Sequence, residues 1–317
     1  MSTDPLHDVT PLWRSDPLSN ALGEEVWMKM DCFQPVASFK IRGLGRTCQQ
    51  AVRQGAKRVV SSSGGNAGLA TAYACRELGV PATVVVPEST PEFMRAKIRS
   101  LDAEVVEHGA AWDDAHAHAT GLASDPEVTY VHPFDHPTTW EGHASVILEA
   151  AEQGPRPGAV VVAVGGGGLL CGILEGMRRV GWGTIPVLAT ETVGAASFKA
   201  AVDAGGLVTL DAIRSVAKTL GALTVTPKLL EWKLRHEIVN YTMTDREAVD
   251  ACFRFLDDHR VLVEPACGAA LAPIYDRCDY LRGRGPVLVE VCGGAGVNLE
   301  LLRGWRAASY RYGVSAL

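Results

Sequence analysis

Residues 160–170 read Val160-Val161-Val162-Ala163-Val164-Gly165-Gly166-Gly167-Gly168-Leu169-Leu170, an apolar run followed by four glycines. A continuous β-branched run is typical of a strand buried on both faces, as in a parallel sheet. Glycines let backbone N–H groups converge, and a helix that follows adds positive potential at its N-terminus. The stretch therefore predicts a buried strand, an anion-binding turn and a helix. A turn without a ligand is the alternative, but four consecutive glycines cost entropy that a mere turn does not need.

The same alternation of apolar runs and helical patterns extends over most of the chain. Residues 66–78, for example, repeat apolar side chains at i+4 spacing, which predicts a helix. From about residue 208 to 244 the strand signal fades, and we expect helices to dominate there. Alternation of this kind is typical of an α/β doubly wound architecture. The predicted strands are Val26–Met30, Arg58–Ser61, Ala82–Pro87, Ala103–Glu107, Val128–Val131, Ala159–Val164, Pro186–Thr190 and Pro286–Val291.

The bulk composition limits the partners and the compartment. The chain has 317 residues, a formal net charge of −6 and no long basic cluster, which argues against nucleic acid as the main partner. None of the eight cysteines forms a CxxC pair, a pattern that fits reduced thiols better than a disulfide framework or a zinc site. The N-terminus lacks a basic, apolar leader, and no uncharged apolar stretch reaches the length of a membrane span. We therefore expect a cytoplasmic protein without a membrane partner.

Two further glycine-rich turns follow apolar runs. The turn Ser61-Ser62-Ser63-Gly64-Gly65-Asn66-Ala67-Gly68 offers hydroxyl and N–H groups at a helix start, which suits a carboxylate. An ordinary helix N-cap at Ser63 is the alternative interpretation. The run Val287–Gly296 reaches Cys292 at the end of its strand, where a ligand's edge could meet the thiol. A small buried apolar residue is the simpler interpretation of a single cysteine.

Lys40 is the candidate nucleophile. It stands between Phe39 and Ile41, and apolar surroundings disfavour the ammonium form and lower the pKa of a lysine. A neutral lysine amine can form a Schiff base with a carbonyl compound. The alternative is an amphipathic lysine whose charged end reaches solvent at a helix start.

The four-glycine turn does not by itself identify its anion. Gly166–Gly172 lacks the frame of the dinucleotide fingerprint, but Glu191 lies at about the distance at which that motif has its acid. A dinucleotide therefore stays an alternative at this point. No lysine follows in the Walker arrangement, which argues against a nucleoside triphosphate.

Taken together, these motifs resemble the fold-type-II pyridoxal-phosphate enzymes, and within them the short, liver-type L-serine dehydratase (serine/threonine ammonia-lyase) family. The resemblance covers about Pro11 to Leu302, and the combination of motifs is more specific than any one of them. From the length of 317 residues we expect no regulatory domain of the kind that the longer threonine dehydratases carry. The stretches that carry the resemblance are Ser38-Phe39-Lys40-Ile41-Arg42-Gly43, Ser62–Gly68, Trp140-Glu141-Gly142-His143-Ala144-Ser145, Gly165–Leu169, Val263-Glu264-Pro265-Ala266-Cys267-Gly268-Ala269-Ala270 and Val291-Cys292-Gly293-Gly294.

The resemblance implies a tryptophan synthase β-like α/β fold with two doubly wound domains and mostly parallel sheets. Residues 1–34 and 138–317 are expected to form a large domain that binds pyridoxal phosphate, and residues 35–137 a small domain. A homodimer is also expected.

The resemblance further assigns roles to individual residues. Lys40 would hold pyridoxal 5'-phosphate through its amine and take the Cα proton of the substrate, and Ser63 is a second candidate catalytic residue. Phe39 would stack on the cofactor ring, Asn66 would bind the ring hydroxyl, and Cys292 would face the ring nitrogen. The cofactor phosphate would be bound by Gly165, Gly166, Gly167, Gly168 and Leu169, and the substrate carboxylate by Ser63, Gly64, Gly65, Asn66 and Ala67.

Cys292 bears on the reaction. A thiol with a reference pKa of about 8.5 is a weak donor, so a ring nitrogen facing it is expected to be neutral. A neutral ring stabilises a carbanion less and favours prompt loss of a β-hydroxyl. This agrees with the activity that the resemblance implies, which is β-elimination from L-serine to pyruvate and ammonia, and from L-threonine to 2-oxobutanoate.

The family also binds a monovalent cation, expected to be K⁺, near the phosphate loop. Its implied ligands are the carboxylate of Glu191 and the carbonyl oxygens of Gly165, Ala195, Leu220 and Ala222, and hard cations prefer such oxygen ligands. Close to the substrate, Gly64 is expected to leave its turn looser than a residue with a side chain would. Thr219 is expected to lie by the second face of the ring.

Three alternatives to β-elimination stay open at this stage. One is another fold-type-II activity, such as a serine racemase with Ser63 as its second base, or a β-replacing synthase. Another is a catalytically silent binding protein with the same fold, against which the intact Lys40 and glycine turn argue. The third is a dinucleotide-dependent enzyme.

Overall fold

The structure is a computed structural model that describes residues 4–110 and 112–312. Within these ranges the chain forms ten strands and thirteen α-helices. The strands are β1 Leu12–Arg14, β2 Val26–Lys29, β3 Arg58–Ser61, β4 Ala82–Val86, β5 Glu104–Glu107, β6 Val128–Tyr130, β7 Ala159–Ala163, β8 Val187–Thr192, β9 Ile238–Met243 and β10 Val287–Glu290. The helices are α1 Asp16–Leu22, α2 Lys40–Arg53, α3 Asn66–Leu78, α4 Glu92–Arg99, α5 Trp112–Leu122, α6 Pro137–His143, α7 Ser145–Gln153, α8 Gly168–Arg179, α9 Ser197–Ala204, α10 Pro227–Lys233, α11 Asp245–His259, α12 Pro265–Tyr275 and α13 Leu299–Tyr312.

The strands form two sheets. The larger has six strands in the order β1-β2-β10-β7-β8-β9, and only its β1–β2 pair is antiparallel. The smaller has four parallel strands in the order β5-β4-β3-β6. The predicted α/β class with mostly parallel sheets is confirmed. Parallel sheets are covered by helices on both faces, which explains why β4 and β7 are buried along their whole length.

All eight predicted strands are present, but two others were not predicted. β1 has only three residues, too few to show a pattern. The expectation that helices dominate between residues 208 and 244 is wrong for β9, Ile238–Met243. β9 is an edge strand with the mixed sequence Ile-Val-Asn-Tyr-Thr-Met, and its pairing with the buried strand β8 holds it in the sheet. A polar, half-buried edge strand lacks the apolar signal on which the other predictions relied.

The smaller sheet lies between residues 58 and 130, whereas the larger sheet takes strands from both sides of that segment. This topology supports the division into residues 35–137 and residues 1–34 with 138–317, whose boundaries stay a prediction. In the part of the chain that the structure describes, no helix is both long and apolar enough to cross a membrane.

A buried ionic network fixes α2, the helix that begins at Lys40. The fully buried guanidinium of Arg42 lies 2.7 Å from the Asp31 carboxylate and 2.5 Å from the Glu149 carboxylate. Asp31 follows β2 and Glu149 lies in α7, so Arg42 connects α2 both to the end of β2 and to α7. Charges removed from water need such partners, and here they fix the start of α2 against the rest of the molecule.

Candidate active site

The amine of Lys40 lies in an apolar, partly closed position at the first residue of α2. Its Nζ donates a 2.8 Å hydrogen bond to the carbonyl oxygen of Pro133 and lies 5.2 Å from the ring centroid of Phe39. Burial lowers the pKa of Lys40 to about 8, although the nearby Cys292 and Glu264 act in the opposite direction. A substantial fraction of the amine is therefore uncharged near neutral pH, as a nucleophile requires.

The segment before Lys40 pairs with the end of β10. The N–H of Phe39 donates to the carbonyl oxygen of Cys292 at 3.3 Å, and Gly294 donates to the carbonyl oxygen of Ala37 at 2.7 Å. Gly293 has φ +81°, and a Cβ there would lie 2.3 Å from that same Ala37 oxygen. Glycine at 293 thus permits the close approach that brings Lys40 and Cys292 to the same site.

The Cys292 thiol is 5% exposed and hydrogen-bonded to Cys267. This hydrogen bond and burial hold the pKa of Cys292 well above its ordinary value. The thiol therefore stays protonated at physiological pH and offers a neutral, weak donor or acceptor to a ligand.

The four-glycine turn joins β7 to α8. Gly167 is the N-cap of α8 with φ +91°, a conformation that favours glycine. In the described part of the chain, no hydrogen bond uses the N–H of any residue from Gly165 to Leu169 as donor. Five unpaired donors converge at a helix N-terminus, and this arrangement binds phosphate groups in other proteins.

The back of this turn is closed by protein. A Cβ at Gly166 would lie 2.4 Å from the Phe134 ring, and one at Gly167 would lie 2.4 Å from the Leu229 side chain. Phe134 directly follows Pro133, the hydrogen-bond partner of Lys40, and its carbonyl oxygen accepts from the Trp140 indole at 2.8 Å. One short segment therefore contacts both the lysine amine and the glycine turn, which places these two groups in one site.

The serine-rich turn after β3 forms a second donor group at the start of α3. Ser63 Oγ accepts a 3.3 Å hydrogen bond from the N–H of Gly65. Within the described residues, the N–H groups of Asn66 and Ala67 have no acceptor in the protein. A Cβ at Gly68 would lie 1.8 Å from the Ser63 carbonyl oxygen, so the tight turn requires glycine there.

The space beside Gly64 is occupied by a residue from another loop. A Cβ at Gly64 would lie 2.6 Å from both Cγ2 and Oγ1 of Thr90, in the loop after β4. The space that an alanine methyl group would need is therefore filled by Thr90. Sequence patterns did not single out Thr90, because nothing local links it to residue 64.

Asn66 and Thr219 both donate hydrogen bonds to Glu264, a residue of the motif Val263–Ala270 for which no role was predicted. Glu264 Oε1 accepts from Asn66 Nδ2 at 2.8 Å and from Thr219 Oγ1 at 2.5 Å. Burial raises the pKa of Glu264 to about 7, while the hydrogen bonds from Thr219 and Asn66 oppose this shift.

Two of the expected cation ligands are neighbours, and a third, Glu191, is buried. The fully buried Glu191 accepts hydrogen bonds from the N–H groups of Phe198 and Lys199 at 2.8 and 2.9 Å, so it caps α9. Burial raises the pKa of Glu191 to about 7. A Cβ at Gly165 would lie 3.1 Å from Leu220 Cα, which makes these two expected ligands neighbours.

Comparison with known proteins matches these features to one family. The model of the family "Pyridoxal-phosphate dependent enzyme" matches residues 3–293. The human "L-serine dehydratase/L-threonine deaminase" is 48% identical over 313 residues, which cover 96% of this chain and 95% of the human protein. The "L-serine dehydratase" of Dictyostelium discoideum is 41% identical, covering 94% of this chain and 91% of that protein.

Solved structures of related enzymes have the same fold as this chain. The fungal L-serine ammonia-lyase from Rhizomucor miehei superimposes with a TM-score of 0.91 at 36% identity, covering 96% of this chain and 99% of that one. The maize serine racemase has a TM-score of 0.85 at 24% identity and covers 96% and 94%. At that identity the racemase shows the shared fold alone.

The chain therefore belongs to the family of pyridoxal-phosphate dependent enzymes, with fold type II. Within that family it belongs to the L-serine dehydratase/L-threonine deaminase group. The predicted family is confirmed, and the dinucleotide alternative is not supported. The site fits the cofactor, because the unpaired N–H groups of Gly165–Leu169 suit its phosphate and the Lys40 amine suits its aldehyde. The individual residue roles stay predictions.

Proposed function

We propose that the protein is a pyridoxal-phosphate dependent L-serine ammonia-lyase, which converts L-serine to pyruvate and ammonia by β-elimination and L-threonine to 2-oxobutanoate. One observation carries the proposal. The Lys40 amine, whose pKa is lowered to about 8, and the turn of unpaired N–H donors at Gly165–Leu169 both contact the segment Pro133-Phe134. When bound, pyridoxal phosphate withdraws electrons from the substrate and makes its Cα–H acidic.

Lys40 would hold the cofactor and move the Cα proton. At pH 7.5 about a quarter of amines with a pKa of about 8 are uncharged, compared with about one in a thousand for an ordinary lysine. Phe39, next to Lys40, would cover one face of the cofactor ring. The unpaired N–H groups at the start of α3 would hold the substrate carboxylate, with Ser63 beside them, and so orient the Cα proton toward Lys40.

Cys292 favours elimination over reactions that need a long-lived carbanion. Cys292 would face the ring nitrogen of the bound cofactor, and its protonated thiol would supply no negative charge there, in contrast to a carboxylate at the same place. Negative charge at Cα would then be stabilised less, which would favour prompt loss of the β-hydroxyl.

The proposal is tested by incubating the protein with pyridoxal phosphate and L-serine and measuring pyruvate and ammonia together. Equal amounts of both products are expected. Lys40→Ala should reduce the rate by at least ~10³-fold, because it removes the amine that moves the proton. The matched control is Lys57→Ala, which replaces an exposed lysine in the loop between α2 and β3 and should retain the parent rate.

Other outcomes would identify the alternatives. D-serine without pyruvate would indicate a racemase, and product formation only with an added thiol nucleophile would indicate a β-replacing synthase. Wild-type turnover in the Lys40→Ala variant would refute the assignment of Lys40.

We further propose a monovalent cation, K⁺, bound by the Glu191 carboxylate and the carbonyl oxygens of Gly165, Ala195, Leu220 and Ala222. The full burial of Glu191 and the contact between Gly165 and Leu220 support this site. Replacing K⁺ by tetramethylammonium should lower activity strongly, and restoring K⁺ should recover it. Equal activity in both salts would exclude the site.

We also propose a homodimer in the cytoplasm. Symmetric dimers are the commonest soluble oligomers. The described cysteines are all free thiols, most of them buried, as expected in a reducing compartment. Analytical ultracentrifugation should give twice the chain mass.

A further inference from the structure

Glu264 occupies the N-cap position of α12 and is only 4% exposed. Its Oε1 accepts hydrogen bonds from two different segments, from Asn66 Nδ2 and from Thr219 Oγ1. The backbone N–H of Gly296 also opposes the rise in the pKa of this carboxyl. All three groups are donors, which is the arrangement that an ionised carboxylate requires.

These contacts determine how the Asn66 amide is oriented. Its Oδ1 accepts from the N–H of Ala295 at 2.8 Å, and its Nδ2 donates to Glu264 at 2.8 Å. A flipped amide would place its oxygen against the carboxylate and its NH₂ against another N–H, so both hydrogen bonds would be lost. With Glu264 in place, one hydrogen of Nδ2 is left to donate to a ligand.

The turn after β10 is shaped around this carboxyl. Gly294 has φ +132°, and a Cβ there would lie 1.9 Å from the carboxyl carbon of Glu264. A Cβ at Gly296 would lie 3.4 Å from Oε2. The third glycine-rich turn thus makes room for Glu264, a purpose that its sequence does not reveal.

Several titratable groups face Glu264. The charge of Lys40, at the start of α2, lowers the pKa of Glu264. The charge of Glu264 in turn raises the pKa of the Cys252 thiol in α11 and of the Cys292 thiol after β10. Thr219 lies on the exposed side and donates its hydroxyl hydrogen at 2.5 Å. Burial raises the pKa of Glu264 to about 7, and donors such as Thr219 oppose this rise. Part of the carboxyl is therefore ionised near neutral pH.

We propose that Glu264, held by Thr219, is a positioning residue that fixes the Asn66 amide with an N–H directed at the ring hydroxyl of the cofactor. The inference rests on the proposed function only through the cofactor, and it does not depend on which amino acid reacts. Glu264 itself need not touch the cofactor, since it acts through Asn66.

The test compares two replacements of Glu264 in the full-length protein. Glu264→Gln keeps an oxygen that accepts from Asn66, whereas Glu264→Ala removes it. The dissociation constant of pyridoxal phosphate, measured by tryptophan fluorescence quenching, should rise about 10-fold in Glu264→Ala and at most about 3-fold in Glu264→Gln. Equal increases in both variants, or none in Glu264→Ala, would overturn the inference.

A second pair of variants keeps the test decisive if Glu264→Ala does not fold. Thr219→Val removes the donor at an exposed position, and Thr219→Ser retains it. Thr219→Val should raise the dissociation constant about 2- to 3-fold and shift the pH midpoint of the bound cofactor's visible spectrum, while Thr219→Ser should change neither. A purely structural contact would alter the melting temperature without moving that midpoint, and this result would refute the positioning role.

Serine turnover by the parent protein is measured in parallel. If the parent binds pyridoxal phosphate but forms no pyruvate, the proposed function fails while the cofactor affinities still decide the role of Glu264. If the parent forms pyruvate and the affinities do not differ among the variants, only the role of Glu264 fails.

Discussion

Replacing Gly64 by alanine should disturb the substrate turn through Thr90. Gly64 does not have a positive φ, so its backbone accepts alanine without strain. The three atoms nearest to the added methyl group all belong to Thr90: Cγ2 and Oγ1, both 2.6 Å away, and Cβ at 3.2 Å. The contact between this added methyl group and the Thr90 side chain therefore determines whether Gly64→Ala raises or lowers the free energy of unfolding.

The magnitude follows from two opposing terms. Overpacking of this kind typically costs about 1–3 kcal/mol. Exchange of glycine for alanine at a compatible backbone conformation stabilises by about 0.4–1 kcal/mol, because the unfolded chain loses freedom. Gly64→Ala alone should thus destabilise by about 1–2 kcal/mol. In the Thr90→Ala background, where Cγ2 and Oγ1 are absent, the same change should be neutral or stabilising.

The assay is a double-mutant cycle by urea unfolding of the parent, the two single variants and the double variant. The seven tryptophans provide the fluorescence signal. We expect a coupling energy of about 1–3 kcal/mol between positions 64 and 90. We also expect the KM for L-serine to rise in Gly64→Ala and to recover in the double variant. Additive changes in unfolding free energy would falsify this account of the turn.

Three further predictions concern the cofactor, the buried charges and pH. Gly167→Ala would place alanine at a φ of +91° and its methyl group 2.4 Å from Leu229, so the affinity for pyridoxal phosphate, measured by titration, should fall at least ~10-fold. The control is Gly181→Ala, at a φ of +76° with open space around it, which should lose some stability but no affinity for pyridoxal phosphate. Asp31→Asn leaves the buried Arg42 short of a charge partner and should cost about 3–5 kcal/mol by urea unfolding, and a loss below 1 kcal/mol would contradict the role of this network. Burial raises the folded-state pKa of Glu191 to about 7, so its contribution to stability is present below pH 4.5 and lost as the pH rises to 7. Glu191→Gln should reduce this loss of unfolding free energy by up to ~3 kcal/mol without K⁺. An unchanged pH profile of unfolding would count against this role of Glu191.

Much of the fold was predictable because its signals are local. The β-branched run of β7 and its four glycines indicate a buried strand and a helix start without reference to any distant residue. Helix α3 begins and ends at the residues that its i+4 pattern predicted, Asn66 and Leu78. β9 escaped prediction because its place in the sheet depends on pairing with β8 and not on its own apolar pattern.

The amino-acid sequence by itself determined the α/β class, the three glycine-rich turns, the family and Lys40 as the candidate nucleophile, because each of these is written in contiguous residues. Only the tertiary structure decided what the turns are shaped around. It placed Thr90 where a side chain at Gly64 would stand, and it placed Glu264 against Asn66 through the turn at Gly294. Such contacts join residues that are far apart along the chain, and they depend on the packing of whole elements, which no local pattern encodes.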